Sequence, residues 1–150
     1  MVNRMIKRIA GLTALLLLAT AAANAKEFTV EMRNSGESGS MVFEPPFLQV
    51  AVGDTVRFVP VDQGHNSVSE FTPDGAKGWQ GVRNEAVTAT IDKEGIYIYR
   101  CEPHTFMGMV GVIQAGKAVN KKAAIEAARV LSEQIAVNKE RLDKYLSLSN

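Results

Sequence analysis

The 150-residue sequence contains one cysteine, Cys101, and two histidines, His65 and His104. A single thiol excludes an internal disulfide, and in an oxidising compartment it is a liability unless it is buried or used. Two histidines confine any imidazole chemistry to one small set. A membrane-spanning run is also missing. The apolar stretch Ile9 to Leu18 falls short of the about 20 residues a bilayer crossing takes. There is no internal repeat and no low-complexity linker, so one domain suffices.

The amino terminus has the layout of an export signal. Arg4, Lys7 and Arg8 precede the apolar run, and small residues lead to Ala23-Asn24-Ala25 just before Lys26. A positive end, an apolar middle and an A-x-A exit describe a cleavable leader. Residues 1–25 are therefore expected to be removed, leaving residues 26–150 as one domain with a sizeable core. The leader takes three basic residues with it. The full chain has 17 basic and 16 acidic residues, so the mature chain keeps 14 against 16, a formal −2. That balance argues against nucleic acid as a partner, since phosphate binding needs a basic footprint.

Between Glu27 and Gln114 the pattern is period two or short apolar runs: Phe28–Met32, Phe47–Val52, Thr55–Val59, Ala86–Ile91, Tyr97–Arg100 and Met109–Ile113. Turn signals separate them at Asn34-Ser35-Gly36, Pro45-Pro46, Gly53-Asp54, Pro73-Asp74-Gly75 and Lys93-Glu94-Gly95. Many short strands with regular turns predict an all-β sandwich. From Val119 onward glycine and proline disappear. Ala124, Ala128, Leu131 and Ile135 form a helical stripe, and Leu142, Tyr145 and Leu146 a shorter one, with Asn138 as the break. The tail, residues 118–148, is expected to be two helices docked on the sandwich. Its mixed charges and lack of Trp or Phe argue against a membrane-surface helix.

The chemistry lies in Tyr99-Arg100-Cys101-Glu102-Pro103-His104-Thr105-Phe106-Met107-Gly108-Met109. A thiol, an imidazole three residues on and a thioether five beyond it share one short connection between strands. The second histidine lies far back, in Gly64-His65-Asn66. Taken singly, Cys101 reads as a buried small hydrophobe and a methionine as core filler. Taken jointly, two histidines, a cysteine and a methionine make the donor set of an electron-transfer copper site. Zinc also takes cysteine and histidine, but it seldom uses methionine, and structural zinc sites usually hold more cysteines. Met107 competes with Met109 for the thioether role.

These strings resemble the cupredoxins, and among them the pseudoazurins. The C-x-P-H-x-x-M-G-M run from Cys101 to Met109 is similar to that family's copper loop, as are Met41-Val42-Phe43-Glu44-Pro45, Gly53-Asp54-Thr55-Val56 and Gly64-His65-Asn66. The resemblance spans about Glu27 to Asn150, and the helical tail sets it apart from plastocyanin. It implies an eight-stranded Greek-key sandwich, one copper ion cycling between Cu(II) and Cu(I), and His65, Cys101, His104 and Met109 as its ligands. It assigns the axial role to Met109 rather than Met107, and it implies that Asn66 ties the two ligand loops together.

The resemblance also implies a periplasmic, monomeric electron shuttle without enzymatic activity of its own. Redox proteins would dock transiently at an apolar patch around His104, formed here by Phe106, Met107, Pro45, Pro46 and Phe47. Relatives dock acidic partners through a lysine ring and serve enzymes such as copper nitrite reductase. Here Asp62-Gln63 and Glu102 depart from that ring, with Lys77 and Arg33 as its candidate members. A copper chaperone or storage protein is the competing function, although Met107 and Met109 make a small methionine cluster. An oxidase or reductase would need an open coordination position or a second site.

Overall fold

The computed structural model describes residues 24–150. Of the expected leader, residues 1–23 lie outside the described residues, and its removal is not tested by them. Eight strands follow in order: β1 (Glu27–Gly36), β2 (Gly39–Glu44), β3 (Phe47–Val50), β4 (Thr55–Pro60), β5 (Val68–Phe71), β6 (Val87–Thr90), β7 (Gly95–Arg100) and β8 (Val110–Ala115). Two helices close the chain, α1 (Lys121–Ser132) and α2 (Glu140–Ser147). Among the described residues no helix is long and apolar enough to cross a membrane.

The strands form two four-stranded mixed sheets, ordered β2-β1-β4-β6 and β3-β8-β7-β5. β1 runs parallel to β4, and β3 runs parallel to β8; the remaining pairs are antiparallel. The Greek-key sandwich with two terminal helices is therefore the architecture. The period-two reading found six of the strands. It did not find β2, whose residues were noticed only for their family resemblance, or β5, where Val68-Ser69-Glu70-Phe71 lacks a clean alternation. Asn34-Ser35-Gly36, read as a turn, continues β1, and the hairpin turns one step later at Glu37-Ser38.

The core between the sheets is aromatic at its centre. Tyr99 packs edge-on against Phe43 and Phe58 at centroid separations of 4.8 and 4.9 Å, and Phe58 stacks on Trp79 at 5.3 Å. Gly111 on β8 makes room for the Tyr99 ring, since a Cβ there would lie 2.2 Å from it. A second core lies outside the β7–β8 pair. Ile96, Ile98, Val110 and Val112 meet Ala124, Ala128 and Leu131 of α1 and Leu142, Tyr145 and Leu146 of α2. The helical stripe of the tail thus covers one sheet face. Ile135 joins this core from just beyond α1, and Asn138 breaks the helices with a φ of 58°.

Candidate metal centre

Two loops at one end of the sandwich meet. The β4–β5 connection carries His65, and the β7–β8 connection carries Cys101, a short 3₁₀ turn over Glu102–Met107, and Met109. The second loop is held from within. The main-chain N–H of Cys101 donates to the Met109 carbonyl at 3.0 Å, and the Thr105 hydroxyl donates to the Cys101 carbonyl at 2.9 Å. Gly108 ends the turn with a φ of 75°, a conformation that favours glycine.

His65 and Cys101 are fully buried, while His104 is half-buried. The Nδ1 atoms of the two histidines lie 3.1 Å apart, and the Cys101 Sγ lies 3.8 Å from His65 Nδ1 and 3.5 Å from His104 Nδ1. One donor atom from each of the three residues falls within 4.8 Å of the others, the spacing of a group that could hold one metal ion. Met109 is fully buried in the inter-sheet core together with Cys101 and Phe43, whereas Met107 is half-buried in the 3₁₀ turn. Two imidazoles and a thiol converging in a largely buried cluster fit a soft-tolerant transition metal.

Protonation states suit that fit. Burial lowers the pKa of His65, helped by the neighbouring His104 and opposed by Asp62. Burial also lowers that of His104, helped by Arg83. Both imidazoles therefore keep a free nitrogen lone pair at neutral pH. Burial raises the Cys101 thiol, against the main-chain N–H groups of Asn66 and His104 and the charge of Arg83. A metal must displace that proton to bind.

Hydrogen bonds around the donors fix their orientation. The Nε2–H of His65 donates to the Asn34 side-chain oxygen at 2.9 Å, which leaves Nδ1 facing the cluster. Asn34 is itself tied back, its main-chain N–H donating to Asp62 at 2.7 Å. Asn66 ties the loops as the resemblance implied. Its side-chain oxygen accepts the Glu102 main-chain N–H at 3.0 Å, and its amide donates to the Gly81 carbonyl at 3.1 Å and the Glu102 carboxylate at 2.7 Å. Gln80 donates to the same carboxylate at 3.2 Å, so Glu102 is held within the loops.

The sequence reading missed Asn34 and Arg83. Asn34 lies 31 residues from His65 and looked like a turn residue, so nothing local announced it. The proposed lysine ring fares differently from the metal donors. The main chain of Lys77 bonds Asp92, beyond the end of β7 opposite to Cys101, and Arg33 is paired with Glu31 and Glu44.

The family description for copper binding proteins of the plastocyanin/azurin family matches residues 30–116. Pseudoazurin from Paracoccus pantotrophus is 38% identical over 144 residues, 95% of this chain and 97% of that protein. The chain belongs to the pseudoazurins. Solved pseudoazurin structures agree. That from Sinorhizobium meliloti superposes with a TM-score of 0.72 at 37% identity, covering 81% of this chain and 94% of its own. That from Hyphomicrobium denitrificans gives 0.69 at 38%, covering 81% and 96%. Copper is thus the metal that this chain's donor cluster is suited to take.

Proposed function

We propose that the chain is an exported, single-copper electron carrier in which His65, Cys101, His104 and Met109 are the ligands. The convergence of two imidazole nitrogens and one thiol sulfur within 4.8 Å carries this reading. Met109 completes it because its side chain is buried in the same apolar cluster as Cys101, and Met107 is not. When bound, copper supplies one-electron exchange between Cu(II) and Cu(I). The protein's part is to hold the donors still. Asn34 orients His65, Asn66 locks the two loops, and the strands on either side of Cys101 and Met109 keep their separation. Donors that move little between oxidation states keep the reorganisation barrier low.

Electrons would enter and leave by His104, the donor that is not fully buried. Phe106, 53% exposed, and the half-buried Met107 give this edge an apolar rim suited to brief docking. Of the two charges expected to steer docking, Lys77 is remote and Arg33 is neutralised; Arg83, which the sequence reading missed, is the cation that acts on His104. The partner we propose is a redox protein of denitrification, such as a copper nitrite reductase. Export to the periplasm follows from the leader. Cleavage after Ala25 would also turn the Lys26 main-chain N–H, 2.8 Å from Asp54, into an ammonium facing a carboxylate.

The test is the visible spectrum and voltammetry of the copper-loaded chain starting at Lys26. One copper per chain, an intense thiolate charge-transfer band and a reversible one-electron wave are expected. Cys101→Ser should abolish the band, and Met109→Leu should change it while Met107→Leu does not. A colourless copper-loaded protein would end the proposal. Binding of several Cu(I) ions per chain would favour the storage reading instead.

A further inference from the structure

The loop that carries His104 and Met109 is gripped from outside by the helical tail. Three consecutive main-chain carbonyls of that loop accept hydrogen bonds from residues 136–141. The Phe106 carbonyl takes the N–H groups of Ala136 and Val137 at 2.8 and 3.0 Å. The Met107 carbonyl takes the Asn138 side-chain amide at 3.0 Å, and the Gly108 carbonyl takes the Arg141 guanidinium at 3.3 Å. The fit is close. A Cβ on Gly108 would stand 2.8 Å from the Val137 carbonyl oxygen.

Arg141 is unusual in itself. It is a cation only 4% exposed, and among the described residues it forms no ion pair. Burying a charge without a counter-charge is costly unless its donors are satisfied. Those of Arg141 go to main-chain carbonyls on two separate segments: Ser38 at 2.8 Å and Met41 at 3.0 Å on the β1–β2 hairpin, and Gly108 on the ligand loop. An apolar residue would fill a buried position at less cost. What the arginine adds is a fixed distance between the hairpin, the loop and α2. The matched family region stops at residue 116, so this grip is built from chain beyond the common copper-binding unit.

We infer that Arg141, assisted by Asn138, is a positioning residue for the metal centre, holding Phe106–Gly108 so that His104 and Met109 stand at fixed places. This rests on the ligand assignment proposed above. The tail would then help to tune a bound copper, through Met109 next to Gly108, besides covering the sheet.

The experiment compares copper-loaded wild type with Arg141→Met, Arg141→Lys, Asn138→Gly and Ile96→Ala. Asn138→Gly keeps the positive φ and removes only the side-chain donor. Ile96→Ala weakens the same sheet at its far end. Arg141→Met is expected to weaken copper affinity about tenfold, the low end for residues that orient metal ligands. It should also alter the ratio of the visible bands, the copper hyperfine splitting and the reduction potential. Arg141→Lys should fall between it and wild type, and Asn138→Gly should shift the same readouts less. Ile96→Ala should lose stability and keep the wild-type spectrum and potential.

Wild-type spectrum and potential in both Arg141→Met and Asn138→Gly would overturn the inference. So would an Ile96→Ala that shifts them as Arg141→Met does. If Arg141→Met does not fold, Asn138→Gly decides alone. A wild type that lacks the thiolate band would instead reject the ligand assignment.

Discussion

The sheet β2-β1-β4-β6 meets solvent on its outer face, whereas α1 and α2 cover the outer face of β8 and β7. The strands record the difference. On β4, Val56 and Phe58 are buried and Arg57 between them is exposed. On β7, five of six positions are buried, and on β8 all six are, so the alternation vanishes. Even Gln114 on β8 is buried, its amide donating to the carbonyls of Gly116 and Asn150. The doubly covered pair β7–β8 is also the pair whose connection carries Cys101, His104 and Met109. A centre that must not move sits on the part of the sandwich packed from both sides.

Two substitutions sharpen that contrast. Ile98 on β7 faces the helices and is fully buried, so Ile98→Ala should cost about 2–5 kcal/mol in urea unfolding. Arg57→Ala, at an exposed position on β4, should stay within about 0.5 kcal/mol. Similar losses at the two sites would mean that the helices add little to the sheet they cover.

Next in size is the seam where the sheets' loops meet. Asn66→Ala removes three hydrogen bonds and leaves the Glu102 N–H without its acceptor, for an expected loss of about 1–3 kcal/mol. The loss should appear in the protein before copper is added. A variant as stable as wild type would show that strand packing alone keeps the two loops together.

The parts of this arrangement that the sequence made legible share a property: they repeat or they are scarce. Alternation at Thr55–Val59 and the stripe from Ala124 to Leu131 repeat, and each predicted its element. His65, Cys101 and His104 are so few that chemistry had no substitutes to consider, and the fold brings all three together. What was illegible depends on contacts between distant segments. β5 is short and has a register shift between Ser69 and Phe71, so period two fails there. Asn34 reaches His65 across 31 residues, and Arg141 reaches Ser38 across 103. No local pattern marks an arginine whose partners are carbonyls of remote loops. In the helical reading it was only one of the charged residues of the tail.

The smallest expected effect lies at the opposite end of the exposed sheet. The Asp54 carboxylate accepts the main-chain N–H groups of Lys26 and Ala51, both at 2.8 Å, and these hold its pKa below the usual carboxylate range against the opposing effect of burial. A carboxyl with a depressed folded pKa binds fewer protons in the native than in the unfolded state, so it adds stability as pH rises. That contribution is complete above the unfolded value of about 3.9 and is lost as pH falls through the folded value. Asp54→Asn should therefore lower Tm by a constant amount through the neutral range, with the gap to wild type closing in acid below about pH 4. The gap should be wider in the chain beginning at Lys26, where an ammonium replaces the amide N–H, than in one that retains Ala23-Asn24-Ala25. A gap independent of pH would mean that Asp54 acts through its shape and not its charge. Equal gaps in the two chains would remove the pairing of the new amino terminus with Asp54.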